Sequence, residues 1–165
     1  MLTFNLFRTA NIQPCLDLVY LGIEMEILEP KAIQDFIYWK MGSDIATIDE
    51  DFDIISITPS KLDVMEMYNK RVTLDIPEAK ELTKAKLRLA ILEHLNQESL
   101  KDNMLLEKIE EVYALFDYPE DMNSFIYYMP SSTYSENPEA SLINNFHLFL
   151  EKERARLLIT EQPII

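Results

Sequence analysis

The clearest helical pattern in the chain lies in residues 99–130, SLKDNMLLEKIEEVYALFDYPEDMNSFIYYMP. Four apolar side chains recur there at helical spacing and predict one buried stripe: Leu105, Ile109, Val112 and Phe116. Ser99 followed by Asp102 has the pattern of a capping box and predicts the start of this helix. Pro119 predicts its end, because the residue before a proline is driven out of the helical conformation. We therefore expect a helix, a proline turn and a second short helix that Pro130 stops.

The remainder of the chain also favours helices. Only two glycines, Gly22 and Gly42, occur in 165 residues, which disfavours glycine-rich phosphate loops and β architectures with many turns. Helical spacing instead follows five prolines that suit a first helical turn: Pro14, Pro30, Pro59, Pro77 and Pro138. The sequence predicts an all-α fold, a single-domain bundle over residues 1–165 of about six to eight helices in antiparallel helix-turn-helix pairs.

Three segments depart from this regular pattern. Residues 43–58 fit helical spacing, yet Ile54 to Thr58 also suits a strand; we choose a helix because no strand partner is evident elsewhere. Residues 131–138, SSTYSENP, are polar and rich in turn formers and predict a mobile loop. Residues 162–165 are expected to be a frayed tail.

The charge balance limits the class of partner. The chain has 29 acidic against 15 basic residues, a formal net charge of −14. Phosphate groups repel such a chain, so we expect neither nucleic acid nor anionic membrane surfaces as partners. A basic protein partner would be favoured, although solubility alone explains the charge equally well.

Cellular location and redox chemistry follow from simple features. Cys15 is the only cysteine, which excludes an intrachain disulfide and a thiolate zinc site within one chain. The N-terminus lacks the pattern of a secretion signal, and no apolar run reaches membrane-spanning length. A cytoplasmic protein is therefore expected. No feature of the sequence predicts an oligomeric state.

One acidic run resembles a calcium loop only in part. Asp49, Asp51 and Asp53 occupy the first, third and fifth positions of such a loop. The sixth position holds Ile54 where the tight turn needs glycine, and the twelfth holds Ser60 where a bidentate glutamate is needed. We interpret the run as a solvated segment and predict no metal there.

No recognisable catalytic motif occurs. His94 and His147 are far apart in sequence and belong to no two-histidine metal motif. A nucleophile elbow, a P-loop and a dinucleotide fingerprint are also missing. We therefore predict a protein that is not an enzyme and needs no cofactor. A carboxylate-dependent hydrolase is the less favoured alternative, because paired acids cannot be recognised by spacing among 29.

A surface on residues 107–128 is the candidate for partner binding. We call it the acidic–tyrosine surface, and it combines six acids with four tyrosines: Glu107, Glu110, Glu111, Asp117, Glu120, Asp121, Tyr113, Tyr118, Tyr127 and Tyr128. Tyrosine rings supply contact area, and carboxylates steer and pair with a basic partner. The competing interpretation is that some tyrosines are core residues and that the acids complement helix dipoles.

Several runs resemble a known bacterial family. They are residues 106–113, LEKIEEVY, residues 116–122, FDYPEDM, residues 125–130, FIYYMP, and the N-terminal runs YLGI at 20–23 and LEP at 28–30. The family consists of small helical proteins first defined as a domain of unknown function, and its members are often proposed to be immunity proteins of polymorphic toxin systems.

The resemblance implies a function without catalysis. An immunity protein binds a cognate toxin domain and blocks it, and a basic nuclease toxin would match this acidic chain. The resemblance assigns no role to any residue, so the acidic–tyrosine surface rests on composition alone. A non-catalytic adaptor or regulatory protein-binding module is the alternative.

Overall fold

The structure is a computed structural model that describes residues 1–127 and 137–158. These residues form eight α-helices, one 3-10 helix and no β-strand, which confirms the prediction of an all-α fold. The α-helices are α1 (Asn5–Thr9), α2 (Leu16–Glu24), α3 (Ala32–Gly42), α4 (Asp49–Ile55), α5 (Lys61–Tyr68), α6 (Pro77–Gln97), α7 (Asp102–Leu115) and α8 (Pro138–Leu158). The 3-10 helix is Glu120–Phe125. The predicted tail at 162–165 and all but the last two residues of the predicted loop at 131–138 lie outside the described residues.

Backbone proximity divides the chain into two compact units. The described part of the first is residues 1–87, and that of the second is residues 88–127 with 137–158. Helix α6 runs through the boundary, since it begins at Pro77 and ends at Gln97. The prediction of a single domain over residues 1–165 stays a prediction.

Helix α2 forms the centre of the first unit. Its residues from Leu18 to Ile23 are all buried, and it packs against α3 and α5. The N-terminal segment runs beside the end of this helix, where the amide of Leu2 donates to the carbonyl of Ile27 at 2.7 Å. Helix α1 was not predicted, because five residues are too few to show a helical period.

The helix chosen for residues 43–58 is confirmed in its central part as α4. The helical spacing of Ile45, Ile48, Phe52 and Ile55 predicts the wrong buried face, since Ile45 and Phe52 are exposed whereas Asp51 and Ile54 are buried. A buried carboxylate that binds Lys40 and Tyr68 accounts for this rotation of the helix. Periodicity of apolar residues cannot anticipate such a polar anchor.

The second unit is built around aromatic packing. Phe125 of the 3-10 helix contacts Phe146 and Phe149 of α8, with ring centroids 5.5 Å and 4.9 Å apart. Helix α8 begins as predicted, because Asn137 Oδ1 accepts a hydrogen bond from the amide of Ala140 at 3.1 Å. The short second helix was also predicted, although it ends at Phe125, before Pro130.

Four predicted helix starts were wrong. Pro14 and Pro30 lie before the helices they were expected to begin, since α2 begins at Leu16 and α3 at Ala32. Helix α7 begins at Asp102 after Lys101, whose side chain makes no cap, so Ser99 is not part of a capping box. Helix α5 begins after Ser60, not at Pro59, because Ser60 and Asp63 form a reciprocal cap. The Ser60 hydroxyl accepts from the amide of Asp63 at 3.2 Å, and the Asp63 carboxylate accepts from the amide of Ser60 at 2.7 Å.

A close approach inside the first unit explains why position 22 is glycine. A Cβ atom at Gly22 would lie 2.6 Å from Cδ1 and 2.9 Å from Cγ of Leu28, which is fully buried. We predict that Gly22→Ala lowers the free energy of unfolding by about 1–3 kcal/mol, because the packed Leu28 side chain must move.

The second glycine supplies the control for this prediction. A Cβ at Gly42 meets nothing within 4 Å, so Gly42→Ala should stabilise α3 by about 0.5–1 kcal/mol. The midpoints of urea unfolding of the two variants measure both effects. Equal midpoints for Gly22→Ala and the parent chain would contradict the packing argument.

None of the described helices combines the length and the apolar character that a membrane span requires.

Candidate functional site

Helix α7 presents two different faces. Its buried face carries Leu105, Leu106, Ile109, Val112 and Tyr113, which confirms most of the predicted apolar stripe. The opposite face is exposed and carries Met104, Glu107, Glu111 and Leu115. Met104 and Leu115 lie about 16 Å apart along the helix axis, with acidic side chains between them. Sequence reasoning missed these two apolar residues, although their spacing places them opposite the buried stripe.

The chain leaves α7 in an unusual conformation. Asp117 and Tyr118 have φ values of 60° and 58°, in the left-handed region that bulky residues rarely adopt. The amide of Tyr118 donates to the carbonyl of Tyr113 at 2.9 Å and closes the turn. Tyr118 is also 60% exposed. Strained backbone at an exposed aromatic residue is a feature typical of functional sites.

Tyr113 supports this turn from inside. It is only 2% exposed, its hydroxyl donates to Asn123 Oδ1 at 2.9 Å, and its ring meets the edge of Tyr118 with centroids 5.2 Å apart. Tyr113 therefore does not belong to the accessible part of the predicted surface. Its role is to connect α7 with the 3-10 helix and to hold Tyr118 in place.

Asp121 fixes the 3-10 helix to α6. Its two carboxylate oxygens accept hydrogen bonds from Nη1 and Nη2 of Arg88 at 3.0 Å and 2.7 Å, in the paired geometry that arginine favours. Arg88 is 6% exposed, whereas the side chain of Asp121 is 46% exposed. Asp121 thus has a structural function at the border of the predicted surface.

Arg88 also joins a buried network with α8. Its Nη2 lies 3.5 Å from Oε2 of Glu153, and its guanidinium carbon lies 5.5 Å from the ring centroid of Phe149. Glu153 accepts two further hydrogen bonds from Arg156, both at 2.9 Å. These bonds raise the pKa of Arg156 above its ordinary value. The network connects α6, α8 and the 3-10 helix within the second unit.

The accessible part of the acidic–tyrosine surface consists of six exposed residues: Glu107, Glu111, Asp117, Tyr118, Glu120 and Tyr127. Glu110 is half-buried at its edge, and Tyr128 lies outside the described residues. Lys108 is the single base within residues 107–128 and donates to both carboxylate oxygens of Glu111 at 3.0 Å. The surface therefore keeps a strong excess of negative charge.

The acidic run considered as a calcium loop has another role. Asp51 is 1% exposed, and its oxygens accept from Lys40 Nζ at 2.7 Å, the Tyr68 hydroxyl at 2.7 Å and the amide of Ile48 at 3.0 Å. Burial and the neighbouring carboxylate raise the pKa of Tyr68. The described residues contain no group of three or more histidine, cysteine or acidic side chains that could hold a metal ion.

The two histidines take part in local contacts. His94 Nε2 lies 3.4 Å from Glu98 Oε1, and His147 Nε2 lies 3.0 Å from Asn96 Oδ1. The buried Nδ1 of His94 has no hydrogen-bond partner among the described atoms.

The fold and this surface define an all-α protein with an exposed acidic helix face. A comparison with protein families places the chain in DUF2247, described as an uncharacterized protein conserved in bacteria, with a match over residues 4–154. The match covers most of the chain, so the protein belongs to this bacterial family. No curated protein and no solved structure matches the chain.

Proposed function

We propose that this protein is an immunity protein that binds and neutralises a cognate bacterial toxin domain through the accessible part of the acidic–tyrosine surface. The observation that carries the proposal is the exposure of acids and tyrosines on α7 and the turn after it, in a region held from inside by Tyr113 and Arg88. The resemblance of residues 106–130 to proposed immunity proteins supports the same role.

The arrangement suits recognition of a basic protein. Tyr118 and Tyr127 offer large rings that lose little conformational entropy on binding, and Met104 and Leu115 add exposed apolar area on α7. The surrounding carboxylates would steer a positively charged toxin into contact. Nuclease toxins are natural candidates, because a nuclease needs positive charge to bind phosphate. Side chains already fixed by packing reduce the ordering that association requires.

Co-expression tests this function. The toxin domain from a neighbouring gene is expressed in a bacterial host with and without this chain, and growth is recorded. We expect the chain to restore growth and to co-purify with the toxin domain, and a catalytically inactive toxin domain should also form the complex. If growth is not restored and no complex forms, the immunity function is wrong, and an adaptor that binds another basic protein becomes the better explanation.

Association kinetics test the role of charge. The double variant Glu107→Lys/Glu120→Lys should slow association with the toxin domain about tenfold and weaken its dependence on salt, because steering depends on local charge. Each reversal changes the charge by two, so the net charge rises from −14 to −10.

A matched variant distinguishes the effect of local charge on the association rate from the effect of net charge. Glu24→Lys/Glu66→Lys makes the same change in net charge at exposed positions of the first unit. Its association rate should stay within about twofold of the parent rate at physiological salt, since the proposal assigns steering to the charges of the acidic–tyrosine surface itself. Equal slowing by both variants would contradict steering by α7 and the turn.

A further inference from the structure

A cleft in the first unit is unrelated to the acidic–tyrosine surface. It has a volume of about 260 Å³, and α1, α3 and the segment before α2 contribute its walls. Three aromatic rings and two opposite charges line it: Phe4, Phe7, Trp39, Arg8 and Asp35. Pockets for drug-sized ligands measure about 300–1,000 Å³, so this cleft suits a smaller molecule.

The aromatic wall of the cleft is fixed by ring packing. Trp39 stacks on Phe36 with centroids 5.8 Å apart and planes inclined by 19°. Phe4 continues the cluster, with its centroid 6.3 Å from Phe36 and 5.7 Å from Phe7. Phe7 and Phe36 are buried, whereas Phe4 and Trp39 are half-buried and face the cleft. The wall is therefore preformed and apolar.

The two charges on the cleft are not used by the fold. Arg8 and Asp35 line the same cleft, yet neither side chain forms an ion pair or a hydrogen bond with another described residue. Their places in the last turn of α1 and the first turn of α3 suit the helix dipoles, but this does not explain why both line one cleft unpaired. A ligand with both charges could satisfy both groups.

We propose that this cleft binds a small zwitterion with an apolar body, the chemistry of a free apolar amino acid. The ligand carboxylate pairs with the guanidinium of Arg8, which can bind both oxygens at once. The ligand ammonium pairs with the carboxylate of Asp35, and the apolar body packs on Trp39 and Phe4. This binding is independent of the proposed immunity function, and its test uses no toxin.

The cleft contains its own reporter, because Trp39 is the only tryptophan of the chain. L-Phenylalanine is titrated into the full chain while tryptophan emission is excited at the red edge of its absorption, where phenylalanine and tyrosine do not absorb. We expect a saturable change in emission below about 10 mM ligand. Glycine, which lacks the apolar body, should produce no change in this range.

Variants locate the binding. Arg8→Gln and Asp35→Asn should each weaken the affinity for L-phenylalanine about tenfold, because each removes one charge-assisted pair. Lys31→Gln and Asp49→Asn are matched controls, since they remove the same charges near the starts of α3 and α4 but do not line the cleft. The controls should bind as the parent chain does.

Ligand analogues keep the test decisive even if a variant fails to fold. On the parent chain, L-phenylalaninamide and N-acetyl-L-phenylalanine should each bind about tenfold more weakly than L-phenylalanine, because each lacks one charge. Arg8→Gln should not change the affinity for L-phenylalaninamide, because this ligand has no carboxylate to pair with Arg8. Asp35→Asn should not change the affinity for N-acetyl-L-phenylalanine, because this ligand has no ammonium group to pair with Asp35. A missing saturable response, or equal binding of all three ligands to the parent chain, would overturn the proposal.

Discussion

Replacing Asp51 with alanine is expected to lower the free energy of unfolding of the first unit by about 3–5 kcal/mol. The carboxylate of Asp51 is the common acceptor for Lys40, Tyr68 and the amide of Ile48, and it is almost completely buried. Its removal leaves the Lys40 ammonium, whose side chain is 12% exposed, and the buried Tyr68 hydroxyl without their partner. An unpaired buried charge is among the most destabilising changes a protein can suffer.

Two further variants, one in the same cluster and one beside it, give smaller expected losses of stability for comparison. Tyr68→Phe should cost about 1–2 kcal/mol, because Asp51 keeps its bond to Lys40. Asp53→Ala is the matched control on the same helix, where an exposed carboxylate should contribute less than about 0.5 kcal/mol. Denaturant unfolding followed by Trp39 emission measures all three variants. A cost for Asp51→Ala as small as that for Asp53→Ala would refute the anchoring role.

The same cluster also predicts a dependence on pH. Burial alone would raise the pKa of Asp51, but hydrogen bonds from Lys40, Tyr68 and the amide of Ile48 outweigh it and lower the pKa below its ordinary 3.8. The stabilisation is therefore complete above pH 3.8 and is lost as the pH falls through the lower value of the folded state. Unfolding of the parent chain between about pH 2 and pH 5 should show this loss, and Asp51→Asn should remove it.

The second large effect is expected at Arg88. Arg88→Met should lower the free energy of unfolding by about 2–4 kcal/mol, because Glu153 stays buried with one fewer cationic partner. Asp121→Asn should cost about 1 kcal/mol or less, since half of the Asp121 side chain is exposed to water. The difference between these variants distinguishes a buried network from a surface ion pair.

Hydrogen exchange gives this prediction a local readout. In Arg88→Met the backbone amides of the 3-10 helix should lose protection, because Arg88 no longer holds Asp121. Lys84→Met lies one turn earlier on α6 and removes only an exposed contact with Glu81, so it should change neither stability nor protection. Unchanged exchange in the 3-10 helix of Arg88→Met would contradict the network.

The helices that the sequence predicts well are those with a continuous apolar stripe. Helix α7 has one, and its buried residues Leu105, Ile109 and Val112 were predicted from spacing alone. Helix α1 has only five residues, and short helices depend on tertiary packing more than on local pattern. The choice of helix over strand was correct for Asp49–Ile55, and the described residues contain no strand that could have paired with this segment.

The buried ion pairs of Asp51 and Arg88 could not be predicted from the sequence. Asp51 lies in a run of acids that resembles a solvated segment, and its partners Lys40 and Tyr68 are 11 and 17 residues away. Arg88 meets Asp121 and Glu153 across 33 and 65 residues. Such pairs exist only once the helices are packed, and a chain with 29 acids offers too many candidates to choose among.

The candidate surface was predicted in composition but not in detail. Five acids and two tyrosines of the predicted set are exposed, but one of these acids, Asp121, is bound to Arg88, and Tyr113 is buried. Composition alone assigned Tyr113 to the surface, whereas the residue follows Val112 at the edge of the apolar stripe of α7 and is buried there. The left-handed turn at Asp117 and Tyr118, which exposes the second ring, has no signal in the sequence beyond the following proline.

A binding measurement with one exposed tyrosine tests most directly the claim that this protein works through the turn after α7. Tyr118→Asn removes the ring and suits the left-handed backbone, because asparagine tolerates positive φ. Tyr38→Asn removes a comparably exposed ring from α3. With the purified toxin domain, we predict that Tyr118→Asn weakens the affinity about a hundredfold and Tyr38→Asn hardly at all. Equal affinities for the parent chain and Tyr118→Asn would contradict the account.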